Sequence, residues 1–294
     1  MKIAEPEARL LAAAVDGDLG SVDALLRAIQ PGVFNLAVRM LGNREDAGDA
    51  AQEILLKVVT HLAGFRGEAA FATWVFRIAR NHLLTALTKS RESPETSLEA
   101  MAERLQAGLD FGASLSLAGP GTPLTPEDKL VARQVAIGCT QNMLMTLDRE
   151  QRLAYVLDTV FGVTSEDGAE VLGIAPAAYR QRLSRARRSL GPFVRQTCGL
   201  VNDDAACRCE RQLPALRKLA ADVPQRRTFP LVATGPRETS DAERQFGALV
   251  RMSDAAALFR AHPDYLAPAT VIDGIRAVLR AEGYWRGDDG RPLQ

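Results

Sequence analysis

Three cysteines lie close together in the second half of the chain: Cys198, Cys207 and Cys209. Thiolates at such short spacing are typical ligands of Zn²⁺ or Cu⁺, with a fourth ligand supplied from elsewhere. The same thiols can instead form a redox pair, Cys198 with Cys207 or Cys209, or serve as plain structural cysteines. The spacing is not that of a zinc finger, so the three interpretations stay open. Cys139, in an apolar helical pattern, is predicted to be a core residue.

A basic segment comes directly before these cysteines. Residues 171–202 contain six arginines and no acidic residue, a composition that favours contact with DNA phosphates and with guanine edges. Two predicted helices meet here at a tight turn at Gly173, and Pro176 suits the first turn of the second helix, as in a helix-turn-helix. The alternative is an ordinary solvated helix face.

In a helix-turn-helix, the N-terminal part of the second helix faces the bases in the major groove. The side chains that we expect to contact duplex DNA are therefore Arg180, Gln181, Ser184, Arg185 and Arg188. The apolar side chains at helical spacing, expected to be buried, are Tyr179, Leu183, Ala186 and Leu190.

A helix predicted over residues 44–63 carries the opposite charge. Its apolar residues form one stripe, and the exposed polar side holds Asp46, Asp49, Gln52 and Glu53. Carboxylates repel phosphates, so a basic protein partner suits this side better than DNA does. An ordinary solvated face is the alternative interpretation.

The next predicted helix, residues 70–89, combines basic and aromatic side chains. Basic groups beside aromatic rings fit single-stranded DNA, because the bases stack while the phosphates pair. The candidate residues here and in the preceding loop are Phe65, Arg66, Trp74, Arg77, Arg80 and Asn81. Phe76 is predicted to be a core residue, whereas Trp74 fits either role.

Composition limits the class of protein. The 294 residues have no net charge, 47% apolar and only 5% aromatic residues, which favours helices over sheets. No apolar run is long enough for a membrane span, so we expect a cytoplasmic protein. The sequence has three histidines and no nucleophile, metalloprotease or phosphate-loop motif, so we expect no enzymatic activity and no required cofactor.

The expected fold is all-α, with two small helical domains, a linker and a helical C-terminal extension. The predicted segments are residues 1–92, a linker at 93–126 with a short amphipathic helix near 97–109, the helix-turn-helix domain at 127–196, and the extension at 197–294. Within the extension we predict a loop at 225–239 and two helices at 240–283, split around His262-Pro263.

Two long stretches resemble one family. DAGDAAQEILLKVVTHLAGFRGEAAFATWVFRIARNHL resembles conserved region two, and LDREQRLAYVLDTVFGVTSEDGAEVLGIAPAAYRQRLSRARRSL resembles region four, of extracytoplasmic-function (ECF) sigma factors of the sigma-70 family. Together they cover about residues 8–195. Gly168, inside the first helix of the turn motif, departs from the family pattern and is expected to weaken that helix by about 1 kcal/mol relative to alanine.

The resemblance implies partners and roles. The partners are core RNA polymerase, through its β′ clamp helices and β flap, and promoter DNA. The acidic side of helix 44–63 would bind the clamp helices, residues 65–68 would capture a flipped base, and Trp74, Arg77, Arg80 and Asn81 would hold the melted strand. The extension suggests an anti-sigma partner or self-regulation, and cysteine-rich extensions that sense metals occur in some family members. A stand-alone helix-turn-helix regulator is the alternative function.

Overall fold

The computed structural model describes residues 3–89, 97–115, 125–222, 254–261 and 264–281. Regular structure in these ranges is helical, apart from an isolated bridge between Cys198 and Cys207, which confirms the all-α prediction. The helices are α1 Ala8–Val15, α2 Leu19–Leu41, α3 Arg44–His61, α4 Phe71–Lys89, α5 Leu98–Ser114, α6 Pro126–Met145, α7 Arg149–Tyr155, α8 Ser165–Leu172, α9 Pro176–Thr197, α10 Leu213–Asp222, α11 Ala255–Arg260 and α12 Ala269–Ala281.

The chain divides into two compact units that do not follow the order of the sequence. The first comprises Met1–Glu92, Leu153–Leu183 and Asp264–Gln294. The second comprises Ser93–Arg152 and Ser184–Pro263. Helix α12 therefore belongs to the same unit as helices α1 to α4.

The first unit has its core between α2, α3 and α4. Gly42 ends α2 in the left-handed conformation, with φ 71°, and its N–H bonds to the carbonyl of Val38. Asn43 then caps α3 by accepting hydrogen bonds from the N–H groups of Glu45 and Asp46, so α3 starts directly. The fully buried residues include Phe34, Leu36, Ile54, Leu55, Val75 and Ala79.

The predicted helix-turn-helix is present as α8 and the start of α9. Thr164 caps α8, Gly173 makes the turn with φ 62°, and Pro176 opens α9. Tyr179 is fully buried, and its hydroxyl donates to the carbonyl of Ala154 at 3.0 Å. The predicted burial of Leu183, Ala186 and Leu190 is also observed.

The expectation that Gly168 simply weakens α8 needs correction. A Cβ atom at this position would lie 2.6 Å from both Cε2 and the hydroxyl oxygen of Tyr179. Glycine is therefore what allows the Tyr179 ring to lie against α8, and its lower helix propensity is offset by that packing.

The second unit includes α5, α6, α10 and a short 3₁₀ turn at Cys209–Gln212. Gln212 donates to the carbonyl of Leu105 in α5 at 2.9 Å. Arg152, 4% exposed, donates to the carbonyl of Leu144 in the last turn of α6 and to that of Leu147 just after it. These bonds satisfy groups that a helix end leaves open.

The amphipathic helix predicted near 97–109 is α5, which extends to Ser114. In the C-terminal region, α11 and α12 lie on either side of the predicted break. The break at His262-Pro263 and the predicted loop at 225–239 lie outside the described residues.

Candidate polymerase and nucleic-acid interfaces

The acidic side of α3 is largely exposed. Asp46, Asp49 and Glu53 are exposed at three- and four-residue spacing, whereas Gln52 is partly covered. The cover comes from the C-terminal helix α12, where Gly274 lies against the Gln52 side chain. No sequence signal predicted this contact, because the two residues are more than two hundred positions apart.

The loop before α4 is held by an aromatic cluster. The ring of Phe65 lies 5.4 Å from that of Phe71 and 5.3 Å from that of Trp74, between ring centroids. Phe71 is buried, as a core residue would be, whereas Phe65 and Trp74 keep part of their surface exposed. Arg66 is exposed, next to Gly67 with φ 69°.

Glu5 fixes the start of α4. Its carboxylate accepts hydrogen bonds from the N–H groups of Phe71 and Ala72 at 3.0 and 2.8 Å. A carboxylate at a helix N-terminus satisfies open donors and complements the helix dipole. Sequence reasoning missed this residue, since nothing in the pattern connects Glu5 to a helix that begins 66 residues later.

The basic side of α4 is engaged within the first unit. Arg77 forms an ion pair with Glu170 of α8, with 2.9 Å between Nη2 and Oε1, while Arg80 donates to Asn81 Oδ1 at 3.0 Å. Phe76 is buried, as predicted, and packs edge-on against Phe161. Both members of the ion pair are about half exposed, so the pair contributes little stability.

The predicted DNA-binding face of α9 is exposed. All five side chains lie outside the apolar stripe and in solvent: Arg180, Gln181, Ser184, Arg185 and Arg188. Arg180 lies 3.9 Å from Glu166, at the limit of an ion pair between two exposed groups. The face can therefore present guanidinium groups to phosphates and base edges.

The cysteine segment follows the end of α9. The N–H of Gly199 donates to the carbonyl of Cys207 at 2.9 Å, and Gln212 Nε2 lies 3.6 Å from Cys207 Sγ. Burial raises the pKa of the Cys198, Cys207 and Cys209 thiols. Burial also raises the pKa of the Cys139 thiol, and the other three thiols add to that shift. Helix α6, which carries Cys139, packs against the 3₁₀ turn that begins at Cys209, a contact that the sequence position of Cys139 did not indicate.

A preformed metal site is absent from the described part of the chain. In those ranges, no three side chains of His, Cys, Asp or Glu are grouped so that they could hold a metal ion. The metal-binding role predicted for the cysteines stays a prediction. Likewise, none of the described helices is long and apolar enough to span a membrane.

The fold and these surfaces define a helical DNA-binding protein with separate acidic and basic faces. Family models match in two places: Sigma-70 region 2 at residues 25–92 and Sigma-70, region 4 at residues 137–190. The two matches occur in the order that the resemblance predicted.

Curated relatives match most of their own length. The ECF RNA polymerase sigma factor SigM of Mycobacterium tuberculosis (strain H37Rv) is 30% identical over 188 residues, which are 64% of this chain and 84% of the relative. The RNA polymerase sigma-H factor of Pseudomonas aeruginosa is 27% identical, covering 65% of this chain and 97% of the relative. Among solved structures, RpoE in complex with the anti-sigma factor NepR from Bartonella quintana matches at 21% identity over 57% of this chain and 93% of that chain, with a TM-score of 0.38.

The chain belongs to the ECF sigma factors of the sigma-70 family. It is a sigma factor that binds core RNA polymerase and directs promoter-specific transcription initiation. Matches to both sigma regions disfavour the stand-alone regulator, which needs only the helix-turn-helix. Sigma factors are initiation factors without catalysis of their own and need no cofactor in general.

Proposed function

We propose that this sigma factor acts through three surfaces, each formed by a different helix. The acidic side of α3 binds the β′ clamp helices of the polymerase, the loop before α4 and the basic side of α4 bind the melted strand, and the exposed face of α9 reads the upstream promoter element. The observation that carries this assignment is the separation of charge, with carboxylates on α3 and guanidinium groups on α9. A sigma factor with these roles works in the cytoplasm.

The α3 assignment is supported by carboxylates that the described part of the chain leaves exposed. Asp49 and Glu53 lie in solvent, and the α3 cap is made by Asn43 instead. Complementary charge at an interface raises the association rate and selects the partner. A basic surface on the polymerase would provide that complement.

Replacing Glu53 by arginine is expected to weaken binding to core polymerase about tenfold, or about 1.4 kcal/mol. The substitution brings a positive charge to a surface that we propose meets positive charge. Fluorescence anisotropy of labelled sigma factor with core polymerase measures the change.

The matched control is Glu103→Arg, the same change of charge on an exposed position of α5. It lies outside all three proposed surfaces and should leave the affinity for core polymerase unchanged. Equal affinity of Glu53→Arg and the unchanged protein would rule out the α3 assignment.

The α9 assignment is supported by a row of exposed basic side chains over a buried apolar stripe. Because Tyr179 and Leu183 anchor α9 in the core, the neighbouring exposed side chains of Arg180 and Arg185 are presented to solvent on a continuous helix. A helix that presents its basic side chains in this way suits insertion into the major groove.

The aromatic cluster of Phe65 and Trp74 gives the melted strand a stacking surface.

Replacing Arg188 by glutamine is expected to reduce the salt dependence of binding to a random-sequence DNA duplex. Each phosphate contact contributes about 0.9 to the slope of log K against log salt concentration, so the slope should fall by about that amount. Anisotropy titrations of the full chain at several salt concentrations measure it. Arg104→Gln, at an exposed position of α5, should leave the slope unchanged; an unchanged slope in Arg188→Gln would remove Arg188 from the DNA contact.

For the cysteine segment we keep the proposal that Zn²⁺ or Cu⁺ binds Cys198, Cys207 and Cys209. Cys139 and these three cysteines belong to the same compact unit, and four thiols are the number of ligands that a tetrahedral site needs. The lack of three grouped ligands in the described ranges opposes it, since binding would require side chains to move. A redox pair or a structural role are the competing interpretations.

Cobalt titration distinguishes these roles. If the thiols are ligands, Co²⁺ produces a thiolate-to-metal absorption band, and affinity rises with pH by about tenfold per pH unit for each proton released. The raised pKa values mean that the thiols are protonated at neutral pH, which sets this sign. Cys209→Ser should weaken the band, and the absence of a band in the unchanged protein would exclude the metal site.

A further inference from the structure

The segment before α12 is held by side chains of α2 and α3. Asn35 donates to the carbonyl of Tyr265 and accepts from its N–H, both at 2.8 Å. Arg44 donates to the carbonyl of Leu266 at 2.8 Å, and Gln30 to that of Pro268 at 3.1 Å. The carbonyl of Pro268 also accepts from the N–H of Val271 at 3.1 Å, so side chains of α2 and α3 and the start of α12 together satisfy these backbone groups.

The ring of Tyr265 closes over Arg39, a buried cation. Arg39 is 1% exposed, its guanidinium carbon lies 5.5 Å from the centre of the Tyr265 ring, and its Nη1 donates to Asn35 Oδ1 at 2.9 Å. Burial raises the pKa of Tyr265 to about 12. The Tyr265 ring therefore covers the buried guanidinium group of Arg39 on α2.

Helix α12 continues along α3. Its inward face is buried and consists of Val271, Ile272, Ile275 and Leu279. Arg276 forms an ion pair with Asp23 of α2, at 2.7 Å between Nη2 and Oδ1. At Gly274 the backbone comes so close to α3 that a Cβ atom would lie 2.5 Å from Gln52 Oε1.

Gln52 takes part both in the contact with α12 and in the surface that we propose binds the polymerase. It lies on the side of α3 that we propose binds the polymerase, between the exposed residues Asp49 and Glu53. A polymerase helix that reaches Gln52 would occupy the space of α12 at Gly274. Helix α12 and a polymerase helix therefore cannot both contact Gln52 at the same time.

We propose that residues 264–281 are an internal competitor of core RNA polymerase for the polar side of α3. The proposal rests on the α3 assignment above. While the segment is bound to α3, Gln52 is covered and core polymerase cannot contact the whole polar side of α3. When the segment is displaced, Gln52 becomes available to core polymerase. The apparent affinity for core is then the intrinsic affinity multiplied by the fraction of molecules with α12 displaced.

The first test weakens the α12 contact without touching α3. Arg276→Glu places a carboxylate beside Asp23 and should tighten binding to core polymerase by about three- to tenfold, because it raises the displaced fraction. Arg280→Glu makes the same change of charge one turn later, at an exposed position, and should leave the affinity unchanged. Anisotropy with core polymerase measures both variants.

The second test uses the unchanged full chain. Hydrogen exchange of the α12 amides should be slow in the free factor and at least tenfold faster once the factor is bound to core. If Glu53→Arg binds core as tightly as the unchanged protein, the α3 assignment itself fails. If both α12 variants bind core equally and α12 stays protected in the bound factor, only the internal competition is overturned.

Discussion

Replacing Gly168 by alanine is expected to destabilise the protein by about 2 kcal/mol, the cost of overpacking a tight core site. Alanine has the higher helix propensity, by about 1 kcal/mol, so a sequence-based rule gives the opposite sign. The Cβ atom would meet the Tyr179 ring, which is fully buried and held by its hydrogen bond to Ala154.

Urea unfolding followed by circular dichroism measures this change in the free energy of unfolding. The matched control is Gly48→Ala, in the interior of α3, where a Cβ atom would have no neighbour within 4 Å. That substitution should stabilise the protein by about 0.5–1 kcal/mol. If Gly168→Ala were also stabilising, the packing of Tyr179 against α8 would be disproved.

Replacing Asn35 by alanine is expected to destabilise the protein by about 3 kcal/mol. The side chain is fully buried and serves the N–H and carbonyl of Tyr265 as well as the guanidinium group of Arg39. Alanine leaves these buried groups without that partner, and each unmade hydrogen bond costs about 1–3 kcal/mol. The loss should release residues 264–281 from α2.

Thermal unfolding and hydrogen exchange of α12 measure the two parts of this prediction. Gln30→Ala is the control, because Gln30 makes one hydrogen bond to the same segment, to Pro268, from a partly exposed position. It should cost no more than about 1 kcal/mol. Equal effects of the two substitutions would contradict the buried role of Asn35.

Local patterns were sufficient to predict the helices that carry the proposed surfaces. The apolar stripe of α3, the turn at Gly173 and the start of α9 at Pro176 all depend on residues within a few positions of each other. Burial of Phe76 and Tyr179 followed from the same periodicity. Which exposed residues contact the polymerase or DNA is still a prediction.

Contacts between distant parts of the sequence could not be predicted in this way. The pairing of Arg77 with Glu170, the packing of α6 against the turn that begins at Cys209 and the Asn35–Tyr265 contact join residues that share no local pattern. The sequence shows that Gly168 lowers the helix propensity of α8. It does not show that the Tyr179 ring packs against this position and leaves no room for a Cβ atom.

The surface beneath residues 264–281 has a large share of hydrogen-bonding groups, contributed by Asp23, Gln30, Asn35, Arg44 and Gln52. Such groups regain water when the covering segment leaves, whereas the apolar side of α12 loses its neighbours. An opened molecule therefore exposes the apolar side of α12 to solvent, where it is a site for aggregation.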